Sequence, residues 1–232
     1  MPAFHRYAIY YAPPEGSALA QFGASWLGWD AAAGEGRAHP DLPGLPEPVS
    51  RLTEQPRKYG FHGTLKPPFH LAEGHDVEGL AEAAAGLAAH TPSFEIPRIA
   101  QQTIGPFLAL VPAEPSEPLA DLAASCVREL DAFRAPPDAA ELAKRRAGGL
   151  SAAQEANLLR WGYPYLFEEF RFHLTLTGPL DPTICAATET VLAPALAQIL
   201  ADPLPIREIC LFGEEASPER RFHILTRFAL SG

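Results

Sequence analysis

The sequence predicts an α+β fold in which two pseudo-symmetric antiparallel sheets face a central cleft, with the helices outside. Three observations predict it: strands and helices follow one another in a mixed order, each half of the chain ends in a strand hairpin, and one segment recurs. This order is not that of a doubly wound parallel sheet. We therefore expect one bilobal domain over residues 1–232. One lobe carries the first copy of the repeat at 61–69, and the other lobe carries the second at 172–180.

The elements follow from apolar periodicity, capping residues and turn residues. In the first half we expect a strand at 6–12, a helix from Ser17 to about Trp29, an irregular Pro- and Gly-rich stretch at 34–57, a strand at 59–71 interrupted by Pro67 and Pro68, a helix at 76–90 and a hairpin at 94–111. In the second half we expect a helix at 117–133, a short helix within 136–166, a strand at 170–177, a helix at 183–200 and closing strands at 206–212 and 222–229.

The composition is that of an ordinary globular protein with excess negative charge. The chain has 232 residues, 47% of them hydrophobic, and a formal net charge of -10. Because an acidic chain repels polyanions, we expect a small phosphorylated substrate as partner and no long nucleic acid. No apolar run is long enough for a bilayer, and no secretory signal is visible. We expect a cytoplasmic protein without a membrane partner, as a monomer or weak dimer.

One segment of the chain aligns with another without gaps. Residues 61–69 match residues 172–180, and the two copies share Phe, His, Thr, Leu and a Pro at equal positions. Each copy lies on a predicted strand that is followed by a turn and then a helix. An internal repeat of this kind indicates two related lobes.

Each copy contains the pattern His-x-Thr, as His62 with Thr64 and as His173 with Thr175. Side chains alternate faces along a strand, so the imidazole and the hydroxyl of one copy point the same way, about 7 Å apart. Two such strands facing one another would surround a small cleft. One neutral His can deprotonate water while the other, protonated, donates to the leaving oxygen, and the Thr hydroxyls can hold phosphate oxygens. The repeat therefore predicts acid–base cleavage of a phosphodiester.

The other side chains that could bind a metal ion form no metal-binding motif in the sequence. Neither copy of the repeat contains an acid or a Cys, so we expect no metal and no cofactor. The three cysteines, which are expected to be buried reduced thiols, are Cys126, Cys185 and Cys210. The histidines without a repeated partner, which are expected to be structural or on the surface, are His5, His39, His70, His75, His90 and His223.

At the two motifs the chain resembles the 2H phosphoesterase superfamily, which is named for two H-x-[T/S]-hydrophobic motifs. Residues 62–65 and 173–176 fit that pattern without departure. Within the superfamily, residues 58–69 resemble the DUF1045 branch, described as phosphonate-metabolism proteins, and this resemblance covers nearly the whole chain. It implies a bilobal, LigT-like fold whose catalytic set is His62, Thr64, His173 and Thr175.

The resemblance also implies a metal-independent hydrolase that opens a small cyclic phosphodiester. The link of the branch to phosphonate breakdown suggests a ribosyl cyclic phosphate. Two alternatives stay open. An RNA end-processing 2′,3′-cyclic phosphodiesterase would need a long basic track. A phosphate-ligand binding module would keep the fold but would not require both an acid and a base.

Further substrate contacts are expected beside the motifs. Lys66 and Arg171 would suit a second phosphate on the substrate. The predicted substrate-binding residues are Lys58, Tyr59, Lys66, Arg171 and, on the first strand, Tyr7. Residues 136–165, which include three consecutive basic residues, are interpreted either as a lid over the cleft or as a solvated helix followed by an aromatic core segment.

Overall fold

The computed structural model describes residues 3–232. Its strands are β1 (Phe4–Tyr11), β2 (Trp29–Asp30), β3 (Glu35–Gly36), β4 (Gly63–Phe69), β5 (Phe94–Ile96), β6 (Ile99–Ile104), β7 (Phe107–Pro112), β8 (Leu174–Thr175), β9 (Leu204–Ile206), β10 (Glu208–Glu215) and β11 (Phe222–Ala229). Its α-helices are α1 (Ala18–Leu27), α2 (Val49–Leu52), α3 (Val77–Ala89), α4 (Glu117–Glu129), α5 (Ala139–Arg146), α6 (Ala152–Trp161) and α7 (Pro182–Ile199).

Seven strands form one antiparallel sheet in the order β11-β10-β1-β4-β8-β7-β6. This confirms the α+β class with antiparallel pairing. The four strands on the β4 side and the three on the β8 side are joined where β4 and β8 pair, through Gly63 and Leu174 alone. The strands of the two motifs therefore lie side by side at the centre of one continuous sheet.

The helices begin and end where their capping residues require. The Ser17 hydroxyl accepts a hydrogen bond from the Ala20 N–H at the start of α1, which ends at Gly28 in the left-handed conformation. The Asp76 carboxylate accepts from the Gly79 N–H at the start of α3. These caps satisfy N–H groups that have no partner inside a helix. The helices predicted around them are confirmed.

The alternation of side chains along β1 separates two hydrophobic clusters. Ile9 and Tyr11 point into the larger cluster, to which α1, α3, α4 and α7 contribute buried residues. Ala8 and Tyr10 point the other way, into a smaller cluster that includes Phe212 on β10. The second face of the sheet is therefore only partly covered, and it carries the first motif.

The two motif strands differ from the prediction in length. Pro67 and Pro68 lie inside β4 and do not interrupt it. They are tolerated because β8 pairs with β4 only at Gly63, which leaves that edge of β4 without ladder bonds further along. The strand expected at 170–177 is reduced to the two residues of β8, since Leu176 and Thr177 both donate instead to the Leu108 carbonyl.

Candidate active site

The sheet brings the two His-x-Thr motifs together across one pair of strands. Gly63 and Leu174 are directly opposed in antiparallel β4 and β8. The same register, extended by one residue on each side, sets His62 opposite Thr175 and Thr64 opposite His173. Directly opposed side chains on one face have Cβ atoms about 5 Å apart. The four side chains thus form a compact group with two-fold pseudo-symmetry.

Both imidazoles are held in the same way. His62 Nδ1 lies 2.9 Å from the Gly60 carbonyl oxygen, and His173 Nδ1 lies 2.8 Å from the Arg171 carbonyl oxygen. A carbonyl only accepts hydrogen bonds, so Nδ1 carries the proton in each neutral ring and Nε2 presents a lone pair. His62 Nε2 lies 3.3 Å from the Thr64 hydroxyl oxygen. Each motif therefore offers an oriented Nε2 for proton transfer.

The backbone at Gly60 sets the position of the carbonyl that holds His62. Gly60 has φ 71° and ψ 171°, a conformation that glycine alone adopts without strain. A Cβ at this position would lie 2.7 Å from the Ala31 Cβ. Sequence reasoning missed this residue, although a Gly two positions before the motif His was a visible signal.

The His62 ring lies among aromatic side chains. Tyr10 stacks on it with 3.9 Å between ring centroids and 22° between planes. Tyr59 lies 5.9 Å away. Burial lowers the pKa of His62 to about 4, against the opposing effect of the hydrogen bond to Gly60, and the charge of His173 lowers it further. His62 is therefore neutral at pH 7.

His173 has a similar but less aromatic environment. The Phe107 ring lies 5.7 Å from the imidazole. Burial lowers the pKa of His173, the hydrogen bond to the Arg171 carbonyl raises it, and the Arg171 charge lowers it. Both histidines are thus neutral at pH 7 before an anion binds.

The glycine of the first motif permits the close approach of the two strands. A Cβ on Gly63 would lie 2.3 Å from the ring of Phe172, which also contacts Tyr11 edge-on. The second motif has Leu174 at the equivalent position, where it is fully buried. The two copies therefore pack differently although their His and Thr are equivalent.

Three of the predicted flanking residues lie beside the histidines. The Lys58 Nζ lies 4.6 Å from the centre of the Tyr59 ring, which itself borders His62. Arg171 is exposed, and its carbonyl orients His173. A role of Lys58, Tyr59 and Arg171 in substrate binding stays a prediction.

Lys66 does not share a face with His62, although it was expected among the substrate-binding residues beside the motif. The register of β4 against β1 shifts between Thr64 and Lys66. The bulge turns Lys66 to the helix side, where its Nζ donates to the Val127 carbonyl at 3.1 Å and lies 3.5 Å from the Asp131 carboxylate. Burial is the main cause that lowers the pKa of Lys66 to about 8. Its position does not allow the substrate contact that the sequence suggested.

Tyr7 also points away from the histidines. It is buried in the larger hydrophobic cluster, and its pKa is raised by burial and by the charge of Glu78 on α3. The tyrosine that contacts His62 is Tyr10, which has the opposite parity on β1. The available signal was that Tyr7 alternates with the apolar Ile9, whereas Tyr10 alternates with Ala8 and the charged Arg6.

Residues 136–165 contain α5, which has no buried residue, and α6. The Arg145 guanidinium lies 4.7 Å from the centre of the Tyr163 ring. Burial is the main cause that raises the pKa of Tyr163, and the charge of Arg145 opposes that shift.

One cavity of about 600 Å³ lies between α1 and the β2–β3 hairpin, and neither His62 nor His173 is among its lining residues. Within residues 3–232, no three His, Cys, Asp or Glu side chains are close enough to share a metal ion. None of the helices in that range is both long and apolar enough to cross a membrane. The three cysteines are free and buried, as predicted.

Residues 64–223 match the family described as "Protein of unknown function (DUF1045)". The chain is 41% identical over 218 residues to a protein of Janthinobacterium sp. named ribose 1,5-bisphosphate phosphokinase PhnN, covering 90% of this chain and 48% of that protein. It is 38% identical over 176 residues to a protein of Laribacter hongkongensis with the same name, covering 76% and 40%. The chain thus spans about half the length of these curated relatives.

The backbone is similar to solved phosphoesterase structures at low sequence identity. One is LigT of E. coli with 3′-AMP, at 15% identity and TM-score 0.43, covering 99% of this chain and 100% of that one. A second is LigT with NADP+, at 18% identity and TM-score 0.42, covering 99% of both chains.

Proposed function

We propose that this chain, which belongs to the DUF1045 family, is a phosphodiesterase that opens a small cyclic phosphodiester. The observation that carries this proposal is the pairing of the two His-x-Thr motifs across β4 and β8, with each imidazole held through Nδ1. Binding alone does not require two imidazoles oriented in this way, whereas acid–base catalysis does. The catalytic set proposed is His62, Thr64, His173 and Thr175.

In the proposed mechanism the negative charge of the bound substrate promotes protonation of one of the two imidazoles. Both imidazoles are neutral at pH 7, but an anionic phosphodiester raises the pKa of a neighbouring His and so favours the uptake of one proton. We assign that proton to His173, because the stronger desolvation around His62 favours its neutral form. His62 then removes a proton from water while His173 donates to the leaving oxygen. The Thr64 and Thr175 hydroxyls hold the non-bridging oxygens.

The proposed substrate is a ribosyl cyclic phosphate. The longer relatives are named for a ribose bisphosphate, which supports a phosphorylated ribose as the ligand class. The sequence contains no G-x-x-x-x-G-K-[S/T] phosphate-binding loop, so we do not extend the named kinase activity to this chain. The net charge of -10 favours a small ligand over RNA.

The first experiment measures turnover by phosphorus NMR in the presence of EDTA. Wild type, His62→Ala and His173→Ala are tested on 5-phosphoribosyl 1,2-cyclic phosphate and on the four nucleoside 2′,3′-cyclic phosphates. We expect wild type to open the ribosyl substrate and each variant to lose on the order of 10²–10⁴ in rate. Turnover of the nucleotides alone would favour RNA end processing. No turnover by folded wild type would favour a binding module.

A second experiment tests the roles of the two histidines. On a p-nitrophenyl phosphodiester, whose leaving group needs no protonation, His173→Ala should recover much of its lost rate relative to wild type. His62→Ala should not recover, because activation of water is still required. Recovery by His62→Ala instead would reverse the two assignments.

A further inference from the structure

A cluster of cations surrounds one buried carboxylate at the far end of the face that carries His62. Glu214 on β10 is 0% exposed and directly opposes Arg6 on β1. The Arg6 Nε donates to the Glu214 carboxylate. The Arg220 Nε lies 3.1 Å, the His5 Nε2 3.3 Å and the Lys58 Nζ 3.9 Å from the same carboxylate. One side chain thus organises four nitrogen groups from three segments of the chain.

The cluster is not neutral. Arg6, Arg220 and Lys58 each bear a positive charge at pH 7, and Glu214 offsets only one of them. The charge-assisted bond to Glu214 uses the Arg6 Nε, which leaves both Nη groups of Arg6 outside that bond. An uncompensated charge of about +2 is unusual in a chain with a net charge of -10. Such a surplus favours a bound anion.

The cluster and the histidine pair share one face of the sheet. Arg6, Ala8 and Tyr10 alternate along β1 on the same side, and Tyr10 stacks on His62. Four residues of strand span about 13 Å, and the long Arg6 side chain shortens that gap. Ala8 and Phe212 are fully buried between the two ends. The half-buried Tyr59 ring packs on their cluster, 5.9 Å from the His62 ring and 4.6 Å from the Lys58 Nζ, so it connects the two ends. A phosphorylated sugar that contacts both ends would lie against Tyr59.

Arg220 provides an independent indication. It has φ 51°, a left-handed conformation that is uncommon for any residue other than glycine. The side chain is 49% exposed at the rim, although it also bonds to both Glu214 oxygens. Backbone strain of this kind is retained where the surrounding structure requires one side-chain position.

We propose that Arg6, Lys58 and Arg220, arranged around Glu214, form a subsite for a terminal phosphate monoester of the substrate. This inference rests on the proposed function for the identity of the substrate, a cyclic phosphodiester that carries a second phosphate. It replaces the sequence expectation in which Lys66 would bind that phosphate. Glu214 acts as a positioning residue that holds the three cations apart and aligned.

The test compares wild type, Arg220→Asn and Lys58→Gln. Asparagine tolerates the left-handed conformation at position 220, which limits the effect on folding. The matched control is Arg207→Gln, which removes an exposed arginine that is paired with Glu95. Thermal melts establish that each variant is folded.

The first readout is calorimetric titration with ribose 5-phosphate, which has the terminal phosphate but no cyclic diester. Arg220→Asn and Lys58→Gln should each weaken its binding by about tenfold or more, the loss of one charge-assisted bond. Arg207→Gln should match wild type. Equal affinity of wild type and both subsite variants would overturn the proposal.

The second readout is the ratio of kcat/KM for 5-phosphoribosyl 1,2-cyclic phosphate to that for ribosyl 1,2-cyclic phosphate. This ratio should fall by about tenfold or more in both subsite variants and stay constant in Arg207→Gln. A ratio unchanged in all variants would also overturn the subsite. If neither compound is turned over but the variants still weaken ribose 5-phosphate binding, the subsite stands and the proposed function fails.

Discussion

The Gly60 carbonyl oxygen and the His62 Nδ1 are 2.9 Å apart, and this contact fixes both the tautomer and the direction of the imidazole. The carbonyl points at the ring because Gly60 has a φ of 71° and a ψ of 171°. A residue with a Cβ would be strained there and would contact Ala31. The position of a proposed catalytic nitrogen thus depends on a backbone conformation two residues away.

Gly60→Ala should therefore reduce activity as well as stability. We expect a loss of about 1–3 kcal/mol in the free energy of unfolding from backbone strain, and at least a roughly tenfold fall in kcat/KM because the imidazole turns. Gly74→Ala is the matched control, since Gly74 has φ 82° with nothing within 4 Å of a Cβ. Urea denaturation and the cyclic phosphate assay measure both effects. Equal activity losses in the two variants would contradict a specific role of Gly60.

Gly63→Ala should separate the two motif strands. Its Cβ would lie 2.3 Å from the Phe172 ring, so either β4 or the ring must move. We expect destabilisation of about 1–3 kcal/mol and partial recovery in the double variant with Phe172→Leu. Gly86→Ala, at an exposed and open position of α3, should instead stabilise by about 0.5–1 kcal/mol. A double variant no better than Gly63→Ala would show that Phe172 is not the obstacle.

Stability should decrease in mild acid through His62. Its pKa is about 4 in the folded chain and about 6.5 in the unfolded chain, so between these values the unfolded chain binds more protons. The free energy of unfolding therefore falls as the pH drops from about 6.5 towards 4. His62→Gln should lose part of that dependence. Urea denaturation of both proteins at several pH values in this range measures it, and identical pH dependences would contradict the low pKa.

Replacement of Lys66 should change the stability of the protein at alkaline pH but not its catalytic activity. Its pKa is about 8 when folded against 10.5 when unfolded, so stability from this group rises as the pH increases through that range. Lys66→Met should lack this rise, which denaturation from pH 7 to 10 would measure. We also expect the kcat/KM of Lys66→Met on the cyclic phosphate to stay within about threefold of wild type. A change of this size is ordinary for a substitution outside the site. A larger loss would return Lys66 to the substrate site.

Much of the fold was predictable because its signals are local. The caps at Ser17 and Asp76 and the hairpin turn at Gly105 depend on a few adjacent residues. The length of β8 was not predictable, since the Leu176 and Thr177 N–H groups donate to the Leu108 carbonyl, which lies almost 70 residues away in sequence. Strand ends depend on partners that the segment itself does not contain.

The candidate site was likewise predictable only in part from the sequence. The repeat identified His62, Thr64, His173 and Thr175 by their chemistry and spacing. It did not reveal that their strands are adjacent, because pairing of Gly63 with Leu174 joins segments more than 100 residues apart. Nor did it choose between the two faces of β1, so Tyr7 was expected where Tyr10 lies.

By itself the sequence determined the proposed catalytic residues, the α+β class and the buried, unpaired state of the cysteines. The tertiary structure alone decided which cations lie on the face that carries His62. A single bulge in β4 sends Lys66 to the core, and the cross-strand pairing of Arg6 with Glu214 gathers Arg220 and Lys58 from distant segments. The physical reason is the two-residue period of a strand, because a shift of one residue moves a side chain to the opposite face.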